Sequence, residues 1–164
     1  MRVAFPESAS CHAGVTFEFP MPTFIAHRQV SFSETDMAGI VHFANFYRWM
    51  EEAEHDYFRS VGLRIMEKQP DGTFVGWPRV SASCHFDAPA RYEDEVEVRI
   101  DVERVGLKSL TFAVEFWRGE TRLAHGRLKT ACCICRPDGT LQSIEIPADY
   151  RSQFVESPAA HPSE

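Results

Sequence analysis

No apolar run in this chain approaches the ~20 residues needed to span a bilayer. No long apolar stretch follows Arg2, as a secretory leader would require. Positive charge is in short supply: 17 Lys and Arg stand against 24 Asp and Glu, a formal net charge of −7. A general nucleic-acid binder needs a broad basic footprint, so neither a nucleic acid nor a membrane is expected as a partner. A small anionic ligand stays compatible, because a local basic cluster can hold phosphates on an acidic protein. Cysteine is sparse and badly spaced for a framework. There are five, Cys11, Cys84, Cys132, Cys133 and Cys135, with no C-x-x-C and no second ligand pair at zinc spacing. That pattern argues against disulfides and against a metal site. The three clustered cysteines read as small apolar side chains in a strand. A reducing compartment, the cytoplasm, is the expected location.

What is present suits one domain with a real core: 164 residues, 44% hydrophobic, with 13 Phe and 3 Trp. Residues 1–22, with Pro6, Gly14, Pro20 and Pro22, read as a loose leader. Residues 23–156 form the domain, and residues 157–164 read as a flexible tail. A strand is expected over residues 24–33. A helix follows from about residue 44 to 61, because Phe46, Met50, Ala53 and Tyr57 recur at helical spacing. Asn45 is a candidate N-cap, and Gly62 a candidate stop. After a Gly/Pro-rich connector over residues 70–78 the period falls to two. Val96, Val98, Ile100 and Val102 alternate with charged residues, and Leu110, Phe112, Val114 and Phe116 alternate with smaller or polar ones. A strand to about residue 135 and another over residues 141–146 complete an α+β plan. One helix covers one face of such a sheet, so the open face and edges call for a second copy.

The densest segment for chemistry is the loop Glu34, Thr35, Asp36, Met37, Ala38 and Gly39, between the first strand and the helix start. A helix N-terminus offers unpaired N–H groups and partial positive charge. Such donors suit a developing oxyanion. A carboxylate a few residues upstream can attack a carbonyl or take a proton from water. On spacing alone Asp36 reads first as a loop or helix cap, as Asp commonly is there. Gly39 supplies a tight turn or a close approach to an acyl group.

From Val30 to Gly62 the chain resembles the 4-hydroxybenzoyl-CoA thioesterase family of hotdog proteins. The likeness continues through Phe86, Asp87, Ala88 and Pro89, through the run from Arg104 to Phe112, and through the run from Ile144 to Tyr150. It implies a hotdog fold, a long central helix wrapped by a five- to six-stranded antiparallel sheet. It also implies two protomers sharing one continuous sheet, with active sites at their interface, as a homodimer or a dimer-of-dimers tetramer. By the same resemblance Asp36 is the catalytic carboxylate, as nucleophile or general base, and the Phe43 backbone N–H polarises the thioester carbonyl. Lys108 and Ser109 match a segment near the CoA nucleotide, with Arg104 as a further contact. Many relatives carry a His one position later than His42. One residue turns a helical side chain by ~100°, so His42 is either a substrate contact or a partly buried structural histidine.

The expected activity is hydrolysis of an aromatic or short- to medium-chain acyl-CoA to the acid and CoA. No cofactor is called for, since a thioester is already an activated acyl group. The alternatives are a non-catalytic acyl-CoA-binding hotdog protein, and a metal or redox protein built on Cys132, Cys133 and Cys135.

Overall fold

The computed structural model describes residues 24–157. The leader over residues 1–22 and all but Ser157 of the tail lie outside the described residues. Strands β1 (Phe24–Gln29), β4 (Arg79–Phe86), β5 (Glu95–Val105), β6 (Ser109–Arg118) and β7 (Thr121–Ala131) form one antiparallel sheet in the order β1-β5-β6-β7-β4. The period-two pattern sets its two faces. Val96, Val98, Ile100 and Val102 of β5, and Leu110, Phe112, Val114 and Phe116 of β6, are buried on the inner face. Arg99 of β5 lies over the Trp117 ring on the outer face, 4.8 Å from its centroid.

Helix α1 (Ala44–Ser60) lies across the inner face. Its buried residues are Phe46, Trp49, Met50, Ala53, Glu54, Tyr57 and Phe58, the stripe that i, i+3, i+4, i+7 spacing dictates. Phe46 meets Phe116 edge-on at 5.1 Å, and Tyr57 meets Phe112 at 5.6 Å. Each such ring contributes roughly 1.5–3 kcal/mol by leaving water. The helix stops where the sequence indicates, with Gly62 at φ +77° and its N–H on the Arg59 carbonyl. Four strands form a second sheet, ordered β2-β3-β8-β9: β2 (Met66–Lys68), β3 (Phe74–Gly76), β8 (Cys133–Cys135) and β9 (Leu141–Ser143). Trp77, Phe58 and Phe154 meet edge-on at 5.3–5.6 Å at the C-terminal end of α1, next to the short helix α2 (Ala148–Arg151).

Five expectations need correction. The first strand ends at Gln29 rather than residue 33, because Ser31 and Glu34 bond reciprocally: the Glu34 N–H goes to the Ser31 carbonyl and the Ser31 N–H to the Glu34 carboxylate. That closes a 3-10 turn over Phe32–Glu34. The N-cap of α1 is Phe43, and Asn45 lies inside the first turn, its side-chain amide donating to the Glu34 carbonyl. The strand running to residue 135 is two strands, split at Cys132, whose N–H donates to the Lys108 carbonyl. The last strand stops at Ser143, and the connector over residues 70–78 contains β3. Among the described residues no helix is long and apolar enough to cross a membrane.

Strand β4 is an edge of the main sheet, and seven of its eight residues are exposed, Val80 and Phe86 among them. An open edge with apolar side chains is a pairing surface.

Candidate active site

The segment after the 3-10 turn folds back on itself. Thr35 and Val41 form an isolated antiparallel bridge, the Asp36 N–H donates to the Ile40 carbonyl, and the Gly39 N–H returns to the Asp36 carbonyl. This is a tight hairpin whose last turn position must be left-handed, and Gly39 occupies it at φ +70°. The turn lifts the Asp36 side chain clear of the core. Asp36 is exposed, and its Oδ1 accepts the Ala38 N–H at 2.8 Å.

Beside it opens a cavity of about 410 Å³. Asp36, Ile40, Val41 and Phe43 line one side, Phe46 the helix side, and Phe86, Asp87, Ala88, Pro89 and Ala90 the wall beyond β4. The lining is mostly apolar with two carboxylates, the make-up of a small-molecule site. Among the described residues the Phe43 N–H donates to no acceptor, and the Ala44 N–H has only a long 3.3 Å contact with His42 Nδ1. The positive end of a 17-residue helix therefore opens at the cavity. An acid and a free helix N–H on one apolar wall can hold an acyl carbonyl between them.

The loop is tied to the helix through Glu34. Its carboxylate accepts the Ser31 N–H at 2.8 Å, the Trp49 indole N–H at 3.0 Å and Arg48 Nη2 at 2.9 Å. Its carbonyl accepts the Asn45 side-chain amide and the His42 N–H. Burial works to raise the Glu34 carboxyl, but the bonds from Ser31, Trp49 and Arg48 outweigh it and hold the group below the ordinary range. Asp87 behaves similarly on the opposite wall. Burial pushes it up, while His125 and Arg122, at 3.0 and 2.8 Å, bring it below the usual carboxylate range.

The residues expected at the site do not all meet. Asp36 and Phe43 share the cavity wall. Gly39 shapes the turn without lining the cavity, and its carbonyl accepts Arg91 Nη1 at 3.4 Å. His42 is exposed outside the lining, with its ring 4.6 Å from that of Phe43. Lys108 and Ser109 lie at the β5–β6 turn, with Arg104 beside it at the end of β5. The strand register places that turn at the far end of the sheet: Phe86 aligns with Ala124 and Phe116, whereas Arg79 aligns with Thr130 and Leu110. From Phe116 back to Lys108 is about 25 Å at the strand rise. Asp87 was not singled out as a site residue, and nothing in its local spacing marks it. Glu34 could have been flagged, since an acid three residues after a Ser is a capping-box signature.

Cys132 and Cys133 are buried, and burial pushes the Cys132 thiol up to about 12. Such thiols lack the thiolate character of a reactive site.

Comparison with known proteins places the chain first by class. The family model of the thioesterase superfamily matches residues 38–125, more than half of the chain and beginning two residues after Asp36. The 4-hydroxybenzoyl-CoA thioesterase of Pseudomonas sp. is 28% identical over 75% of this chain and 91% of its own length. The 1,4-dihydroxy-2-naphthoyl-CoA hydrolase of Synechocystis sp. is 30% identical over 72% of this chain and 86% of its own. Among solved structures, a gentisyl-coenzyme A thioesterase superposes with a TM-score of 0.67 at 27% identity, covering 80% of this chain and all of that one. The chain belongs to the thioesterase superfamily. Its fold is the hotdog fold, and it is a thioester hydrolase.

Proposed function

We propose that this chain hydrolyses acyl-CoA thioesters, of aromatic or short- to medium-chain acids, with Asp36 as the catalytic carboxylate. The observation that carries this reading is that Asp36 and Phe43, whose N–H donates to no acceptor among the described residues, line one apolar cavity. The thioester carbonyl oxygen accepts the Phe43 N–H, which stabilises the negative charge that develops there. As nucleophile, Asp36 bonds to the carbonyl carbon, the C–S bond breaks, and CoA leaves as a thiolate that takes a proton from water. Water then cleaves the resulting anhydride, which returns the carboxylate. As general base, Asp36 instead takes a proton from water as that water attacks. Either route runs without a cofactor.

The acyl group is read from the lining. Phe43, Phe46 and Phe86 offer ring faces and edges around about 410 Å³. That suits one aromatic ring or a short chain. The three relatives above are named for aromatic acyl-CoA substrates, which supports the aromatic side of this range. Lys108 serves as a phosphate contact on the site of a second copy, because its own cavity is about 25 Å away along the sheet. Antiparallel pairing of two β4 edges would reverse the second sheet and bring its β5–β6 turn toward the first cavity. The working form is therefore a homodimer or a pair of dimers.

The test is thiol release from a panel of aryl- and alkyl-CoA esters by the wild type and by Asp36→Asn, which keeps shape and removes the base and nucleophile. Loss of turnover by 10²-fold or more on the preferred ester is expected, at the ordinary scale of acid–base catalysis of ~10²–10⁴-fold. Turnover surviving within a few-fold overturns the assignment. Binding of CoA esters with no thiol released by the wild type would favour a non-catalytic binding protein.

A further inference from the structure

Asp36 stands on an exposed turn, and among the described residues its side chain bonds only to the Ala38 N–H, within that turn. The tie to the helix is two residues upstream. Three of the donors that converge on Glu34 come from the first turns of α1: Asn45, Arg48 and Trp49. These are positions i, i+3 and i+4, which share one helix face. A fourth, the Ser31 N–H, comes from the other side of the loop, and a fifth, the His42 N–H, from the chain leading into the helix. Trp49 is 1% exposed, so its indole N–H has no water to turn to if Glu34 is lost. Arg48 is half exposed and its ion pair adds little by itself. One side chain and one carbonyl thus set the height of the Asp36 turn against the helix start.

We propose that Glu34 is a positioning residue, whose bonds to Ser31, Asn45, Arg48 and Trp49 hold the Asp36 carboxylate at the distance from the Phe43 N–H that the reacting carbonyl needs. The role rests on Asp36 being the catalytic carboxylate. A misplacement of about 1 Å costs on the order of 10²-fold in rate, so the tie matters to turnover more than to binding.

The experiment is a double-mutant cycle on the full chain with the preferred acyl-CoA ester. Glu34→Gln keeps size but turns one acceptor oxygen into a donor group facing the Ser31 or Trp49 N–H. Expected is a fall in kcat of about 10- to 100-fold with KM within twofold, measured well below the melting temperature. In an Asp36→Asn background the same change should alter the residual kcat by less than twofold, because the residue it positions is gone. An unchanged kcat for folded Glu34→Gln overturns the proposal. So does an equal loss in both backgrounds, which would mean that Glu34 acts independently of Asp36. If Glu34→Gln does not fold, Trp49→Phe removes a single donor. It should lower kcat about three- to tenfold at constant KM, and an unchanged kcat there overturns the proposal as well. The two failures are distinct. Activity in Asp36→Asn sinks the catalytic assignment, whereas an inactive Asp36→Asn beside a fully active Glu34→Gln sinks only the positioning role.

Discussion

The loop ahead of α1 and the second half of that helix handle acidic side chains in opposite ways. Near its start the Asp36 carboxylate is exposed, holds one bond within its own turn, and borders an open cavity. Nearly three turns into the helix, Glu54 is 0% exposed. Its Oε2 accepts Arg79 Nη2 at 2.6 Å, while among the described residues its Oε1 has no hydrogen-bond partner, nor does the buried Thr130 Oγ1, in register with Arg79. Burial pushes the Glu54 carboxyl up to about 7, against the pull of Arg79. Arg79 also reaches Glu51 at 3.2 Å and His55 at 3.1 Å, so the start of the open edge strand β4 is clamped to the helix. A pKa near neutrality would draw attention to Glu54 as a catalytic group. It lines no part of the acyl cavity. The shifted pKa of Glu54 comes with burial and an ion pair, not with access to the cavity, and marks an acid that holds the fold.

Five changes sharpen or break that contrast. The largest effect is expected where a buried ring serves both the core and the cavity. Phe46→Ala should cost about 3–5 kcal/mol of stability and shift preference toward bulkier acyl groups, read by denaturant unfolding and by kcat/KM across the ester panel. Arg79→Met leaves a buried carboxylate without its cation and should cost about 3 kcal/mol at pH 8. The cost should shrink at pH 5, where Glu54 is neutral. In the wild type, Glu54 holds a proton in the folded state between its ordinary 4.5 and about 7, so its contribution to stability is full below 4.5 and is lost as pH rises through 7. Glu54→Gln should flatten that slope in melting temperature against pH while leaving kcat within twofold. A large loss of kcat would erase the division between the two ends. Gly39→Ala imposes about 1–2 kcal/mol of left-handed strain on the Asp36 turn. It should lower kcat with little change in melting temperature if the strain is relieved by moving the turn. Lys108→Met should have the smallest effect, a KM rise of up to about tenfold that fades at high salt, with kcat unchanged.

Much of this architecture is legible in one dimension. The alternation along β5 and β6 and the stripe on α1 mark which faces are buried, because side-chain direction follows backbone period. Gly62 marks the helix end for a local reason, the left-handed φ it adopts. The break at Cys132 is not legible. Apolar residues continue through it, and only pairing with β3 and β9 shows that the chain has changed sheets. Asn45 misleads because it has the composition of a cap but spends its amide on the Glu34 carbonyl, 11 residues earlier. Asp87 lies 51 positions after Asp36, and no local pattern reveals that both border one cavity.

The sequence by itself determined the class of fold, the long helix, and the loop in which an acid precedes a helix start, since these depend on period, turn chemistry and spacing along the chain. Only the tertiary structure decided that Phe43, its N–H unbonded among the described residues, lines one cavity with Asp36, that Glu34 ties the loop down, and that Lys108 stands at the far end of its own sheet. The first two depend on how the loop folds back onto the helix start, and the third on the registers of paired strands.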